Sequence, residues 1–158
     1  MQILKQDCDL TLREGLAELY RANPEVESVS KAKGKMFTDH DLTHVIFGCD
    51  TSLIGEIVLK PWILFGTTIN IEEMKTYAAD PEVRRLNEEG RELMGGQVLG
   101  TLKLVFYYLP QFFWIWLTKV RKMRQKWPHS AVTEHMLESK ICDLRKDYNI
   151  RILQSQSR

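Results

Sequence analysis

The sequence predicts an all-α protein, a single-domain helical bundle of about six or seven helices, on three observations. Glycine and proline are few, nine and five in 158 residues. No stretch sustains the apolar/polar alternation of a strand. Helix-start signals recur instead, each followed by apolar residues at helical spacing. The length suits one domain, so residues 1–158 are taken as a single unit.

The first helix starts at Thr11, with Glu14 completing a capping box, and Leu12, Leu16, Leu19 and Tyr20 form its apolar stripe. Asn23-Pro24 ends it. The polar stretch from Glu25 to Lys35 reads as a connecting loop. Thr38 or Asp39 caps a second helix that runs to about Phe47, where Gly48 offers a stop. Asp50-Thr51-Ser52 opens a third, apolar through Leu53, Ile54, Ile57, Val58 and Leu59, in which Pro61 is expected to kink or break the helix. Asn70 with Glu73 is another capping box, and Asp80-Pro81 starts a helix that reaches Leu93 before Gly95-Gly96 weakens it. A very apolar segment broken by Pro110 follows. Trp127 to Ser130 is a turn, and Ser130 caps a last amphipathic helix through Met136, Leu137, Ile141 and Leu144. The tail from Gln154 to Arg158 is expected to fray.

Charge and cysteine usage narrow the function. Twenty-two basic against 21 acidic residues give a net charge of +1. A dedicated nucleic-acid binder needs a net basic surface, so no nucleic-acid partner is expected. Cys8, Cys49 and Cys142 are scattered and odd in number, which describes neither a disulfide framework nor a thiolate metal site and suits a reducing compartment. The opening residues lack the basic and apolar regions of a signal peptide, so a cytoplasmic location is expected.

The chemistry concentrates between His40 and Glu56. His40 and His44 are four apart, so both imidazoles leave one helix face about a turn apart. Two nitrogens so placed can reach one ion at about 2.0–2.1 Å. Asp41 lies about 100° round the helix and could ligate directly or hold a ligand histidine. The turn at Gly48 to Ser52 lets the next helix run back, returning Glu56 to the level of the histidines. Two such histidines also occur as caps or pairs on a charged face. Clustering favours the metal, because half of the four histidines lie within five residues, beside two aspartates. Glu56 falls among Leu53, Ile54, Ile57 and Val58, where a buried carboxylate needs a cation or a hydrogen-bond partner. Asp41 stands where a metalloprotease has its glutamate base, so the chain does not read as a protease.

The run His40-Asp41-x-x-His44, eleven residues, Glu56 resembles the complete metal motif of the coenzyme Q (ubiquinone) biosynthesis protein 4 family. Gly55-Glu56-Ile57-Val58-Leu59-Lys60 is similar to that family's Gly-Glu-x-x-x-Lys helix. Leu144-Arg145-Lys146-Asp147-Tyr148-Asn149-Ile150 is similar to its C-terminal Leu-Arg-x-x-x-x-Ile segment. The resemblance implies that His40, Asp41, His44 and Glu56 are metal ligands. It also implies a place in ubiquinone synthesis, as an organiser of other quinone-biosynthesis proteins on a membrane. The implied activity is removal of the ring carboxylate, with hydroxylation at the same carbon, from a polyprenylated hydroxybenzoate. Zinc is the first metal expected and iron(II) the second, since two histidines and a carboxylate serve both. A homodimer is compatible with this reading.

A second informative region is Leu104 to Leu117, uncharged and holding seven of the 15 aromatic residues. It is shorter than the roughly 20 residues of a spanning helix and is interrupted by Pro110 and Gln111. It reads either as a buried core helix or as a contact for an isoprenoid tail or membrane surface. Lys119, Arg121, Lys122, Arg124 and Lys126 follow at once, and aromatic residues joined to cations favour a peripheral membrane contact on the inner face. Phe106, Tyr107, Phe112, Phe113, Trp114 and Trp116 are the expected lipid-facing residues. Trp114 and Trp116 are about 200° apart on a helix, so at most one faces the core. His129 and His135 read as a turn and a surface residue.

Two functions follow: a metal-dependent carboxy-lyase acting on a prenylated aromatic acid, and a non-catalytic lipid-binding scaffold stapled by metal. A metal-dependent phosphohydrolase is a third, but the chain shows no further His-Asp pairs to complete one.

Overall fold

In the computed structural model, which describes residues 1–103, 106 and 108–153, the chain is all-α, with ten α-helices and no strand among those residues. The expected frayed tail, 154–158, lies outside them. The helices are α1 (Leu12–Ala22), α2 (Pro24–Lys33), α3 (Lys35–Phe47), α4 (Leu53–Gly66), α5 (Ile71–Ala79), α6 (Pro81–Leu93), α7 (Gly96–Lys103), α8 (Leu109–Thr118), α9 (Glu134–Glu138) and α10 (Ile141–Tyr148). The count exceeds six or seven because α2 and α7 form where no helix was expected and the last expected helix is two.

Glu25 to Lys35 is not a loop. Pro24 occupies the first turn of α2, Glu25 and Glu27 sit at its N-terminal end, and Lys31 and Lys33 at its C-terminal end. Each charge complements the helix dipole where it stands, and Pro at the first turn loses no intrahelical bond. Accordingly α3 begins at Lys35, earlier than Thr38, with Gly34 as its cap. The last helix is two helices. Thr133, not Ser130, caps α9, and Ser130 donates instead to Glu73. Between α9 and α10 the chain pairs with residues 10–12: Leu12 N–H donates to Ser139, and Ile141 N–H donates to Leu10. That pairing pulls the backbone out of the helix.

The other boundaries follow their local chemistry. Capping boxes form at Thr11/Glu14 and Asn70/Glu73, Ser52 caps α4, and Asp80 caps α6. Gly48 ends α3 with φ 64° and ψ 44°, a left-handed conformation disfavoured for other residues. Pro61 does not break α4, which continues to Gly66. Pro61 and Trp62 are both buried there, and Phe47 stacks on Trp62 with ring centroids 4.8 Å apart. That apolar packing holds the helix across the missing backbone bond. Pro110 does not split an apolar helix. It lies in the first turn of α8, where proline is tolerated.

Helix α3 is the axis of the molecule. Residues 39–47 are all buried, and α1, α2, α4, α10 and the N-terminal 3-10 turn pack around it. Leu12, Leu19, Leu42, Val45, Ile46, Phe47, Leu59, Trp62, Ile115 and Ile141 form the core. Fully buried Arg145 fastens α3 to the N-terminal turn, donating to the carbonyls of Ile46 and Val45 and of Lys5 and Ile3 at 2.5–2.9 Å. No described helix is long and apolar enough to cross a membrane.

Candidate metal centre

The site sits where α3 meets the first turns of α4. His44 is 1% exposed and His40 8%, side by side on α3, and α4 runs back so that Glu56 faces both. His44 Nε2 lies 2.9 Å from Glu56 Oε1, His40 Nε2 lies 3.7 Å from Glu56 Oε2, and the two Nε2 atoms are 3.3 Å apart. Donors held by one tetrahedral ion at about 2.0–2.1 Å stand roughly 3.3–3.4 Å from each other. The three observed separations bracket that value. His40, His44 and Glu56 form a group that could hold a metal ion.

The turn between the helices orients the group. His44 Nδ1 lies 3.1 Å from the Asp50 carbonyl, which can only accept, so Nδ1 carries the hydrogen and Nε2 faces Glu56, as a donor to the carboxylate when protonated and as a lone pair for an ion when not. That carbonyl can approach because residue 55 is glycine. A Cβ there would lie 2.0 Å from the Asp50 carbonyl oxygen and 2.3 Å from its Oδ1. Asp50 is itself fixed, accepting from the backbone of Ser52 at 3.0 Å. His40 is held differently, with its ring stacked on Tyr77 of α5 at 4.6 Å.

Asp41 is not among the converging ligand atoms. Its Oδ2 accepts from Tyr20 of α1 at 2.9 Å and from Ser30 of α2, so the carboxylate joins α3 to its neighbours. Burial pushes its pKa up against the pull of those hydrogen bonds. Burial, with the Asp41 carboxylate next, pushes the Tyr20 phenol up to about 12.

Glu56 departs from the expected burial among apolar neighbours. Its side chain is 42% exposed, and Ile54 is 52% exposed, so the carboxylate closes the site from the solvent side. Partial desolvation opposes its ionisation, but the charge of His44 at 2.9 Å, with His40 beside it, holds the carboxyl well below the usual carboxylate range. Burial likewise disfavours charge on His44, and Glu56 outweighs it and raises that pKa. Two imidazoles and one ionised carboxylate, with one side toward solvent, are the donor set of a metal site with a further position for water or substrate.

Several participants escaped the sequence reading. Tyr77, Tyr20 and Ser30 arrive from other helices, and no spacing in the chain announces them. Asp50 was legible only as part of a cap. His129 lies in the expected turn but is buried, with Nδ1 3.4 Å from Ser130 Oγ, and burial lowers its pKa. His135 is exposed as expected, and Cys49 is a buried core residue outside the ligand group.

The aromatic segment divides by face. Phe106, Phe113 and Trp114 are 70%, 53% and 52% exposed. Phe112 and Trp116 are half-buried, and both rings pack against Phe65 of α4. Tyr107 lies outside the described residues. Trp116 also packs against the core and takes the Arg121 guanidinium over its ring at 5.5 Å, so only one of the two expected indoles faces outward. No protein-family model, curated protein or solved structure matches this chain.

Proposed function

We propose that this chain binds a divalent ion through His40, His44 and Glu56 and acts in ubiquinone biosynthesis, removing the ring carboxylate of a polyprenylated hydroxybenzoate. The observation that carries the reading is the 2.9–3.7 Å convergence of those three side chains, at the motif spacing that resembles the coenzyme Q biosynthesis protein 4 family. Zinc and iron(II) both suit the donor set; if hydroxylation accompanies loss of the carboxylate, dioxygen would be the oxidant and source of the oxygen atom, and a redox-active ion such as iron(II) would be required. A bound ion supplies a Lewis acid for the substrate's carboxylate or phenolate oxygen. The chain's own residues prepare the place for it. The Asp50 carbonyl sets the His44 tautomer, Tyr77 limits rotation of His40, and Glu56 keeps a negative charge at the solvent side.

The exposed aromatic face of α8 supports a second reading, a scaffold whose metal staples α3 to α4 while α8 holds a polyprenyl lipid. In both readings the protein is cytoplasmic and rests peripherally on the inner face of a membrane, beside other quinone-biosynthesis proteins. Metal analysis of anaerobically purified protein, with mass spectrometry of co-purified lipid, separates the two. Iron with a prenylated aromatic acid supports the enzyme, whereas zinc with an unmodified isoprenoid supports the scaffold. Protein that binds neither zinc nor iron(II) on titration would overturn both.

A further inference from the structure

Cations are unevenly used across this nearly neutral chain. Lys119, at the end of α8, and Arg124, just beyond it, come together with Lys146 of α10 and Arg151 around an open cleft of ≈ 730 Å³. None of the four belongs to the ion pairs formed among the described residues. A single carboxylate, Asp7, shares the lining. Arg145 also contributes to the wall, and its guanidinium is met by backbone carbonyls alone. That guanidinium is fully buried and already engaged, so four cations, Lys119, Arg124, Lys146 and Arg151, stand beside one anion.

The cleft is built rather than incidental. Arg124 N–H donates to the Tyr148 carbonyl at 3.0 Å, and Asn149 Nδ2 donates to the Lys122 carbonyl at 2.6 Å. Gln6 donates to the Ile150 carbonyl at 3.0 Å and accepts from Ile152 N–H at 2.9 Å. These bonds fix the backbone on both sides, so the stretches that carry the cations are set beside one another before any ligand arrives. Trp114 forms part of the wall, and α8 also exposes Leu109, Phe113 and Leu117. An indole beside apolar residues settles at the headgroup level of a bilayer, which brings the neighbouring cations to the phosphates.

We propose that this cleft binds the phosphate group of an anionic phospholipid headgroup and so sets how the protein lies on the membrane. The assignment rests on the membrane contact proposed above for α8. Guanidinium and ammonium groups without carboxylate partners suit a phosphodiester oxygen.

The test is co-sedimentation of the full chain with phosphatidylcholine vesicles, with and without phosphatidylglycerol. Triple replacement at the cleft (Arg124→Ser, Lys146→Ser, Arg151→Ser) is compared with equal charge removal beside it (Arg121→Ser, Lys122→Ser, Lys126→Ser), and circular dichroism and metal content report folding. The wild type should prefer phosphatidylglycerol vesicles, and the cleft variant should lose that preference by on the order of tenfold or more. The neighbouring variant should keep most of it. Equal losses in the two variants, or no preference in the wild type, overturn the cleft while leaving the α8 contact standing. No binding of the wild type to either vesicle overturns both. Inorganic phosphate binding as tightly as the vesicles would make the free ion the occupant and overturn the lipid assignment. So would tighter binding of a single-stranded oligonucleotide.

Discussion

Helices α3 and α8 reverse the distribution expected from their side chains. Helix α3 carries Asp39, His40, Asp41 and His44, and all four are buried. Helix α8 carries no charge, yet Leu109, Phe113, Trp114 and Leu117 are each close to half exposed or more. Both arrangements cost stability, one through desolvated charge and the other through apolar surface left in water. In α3 the cost is met by partners: Lys35 on Asp39, Tyr20 and Ser30 on Asp41, and Glu56 with Asp50 on the histidines. In α8 no described residue covers the outer face. A folded chain keeps such features where a ligand or a surface uses them. On the function proposed above, the paired histidines serve an ion and the bare aromatic face a lipid phase.

Disrupting the support of α3 should have the largest effect. Arg145→Ala leaves four carbonyl contacts without their donor and a large hole behind α3, so stability should fall by about 3–5 kcal/mol in urea unfolding, or the chain should not fold. Unchanged stability would mean that α3 holds its position without this anchor. Next comes Gly55→Ala, which forces a methyl group into the Asp50 carbonyl. A loss of about 2–3 kcal/mol, with weakened metal binding, is expected in calorimetry and metal titration.

The third effect separates ion from packing. His44→Ala should reduce metal stoichiometry to near zero. Its stability cost should be about 2 kcal/mol, from the cavity and the undonated Asp50 carbonyl. Glu56 adds little to that cost because it retains solvent access. Retained metal in this variant would dismiss the site. Asp41→Asn sharpens the comparison further, since the residue next to a ligand is itself engaged elsewhere. Metal stoichiometry should hold while stability falls by about 1 kcal/mol, and a variant without metal would make Asp41 a ligand after all.

The smallest stability effect is expected on α8. Trp114→Ser should change unfolding free energy by less than about 0.5 kcal/mol while weakening vesicle binding by roughly tenfold. Trp116→Ser, whose ring packs on Phe65 and the core, should do the opposite. If both variants unfold alike, the aromatic face of α8 is ordinary core.

Most of the architecture could be read from local chemistry. Thr11/Glu14, Ser52, Asn70/Glu73 and Asp80-Pro81 each set a helix start that depends only on neighbours a few residues away. The pairing of His40 with His44 and the return of Glu56 were equally local, since helical spacing and one turn produce them. The missed elements had other causes. The polar α2 lacked a strong apolar stripe, although Asn23-Pro24 and its graded charges were visible in the chain. The break between α9 and α10 comes from pairing with residues 10–12, more than 120 positions away, and no local pattern encodes it.

The sequence by itself determined the helical class, most helix starts, and the three side chains that converge, because caps and periodicity act within one or two turns. The tertiary structure decided what surrounds them. It took Asp41 away to Tyr20 and Ser30, brought Tyr77 against His40, and left Glu56 open to solvent. It also gathered Lys119, Arg124, Lys146 and Arg151 from separate stretches into one cleft. Burial and electrostatic environment are sums over neighbours in space, and those neighbours exist only once the helices have packed.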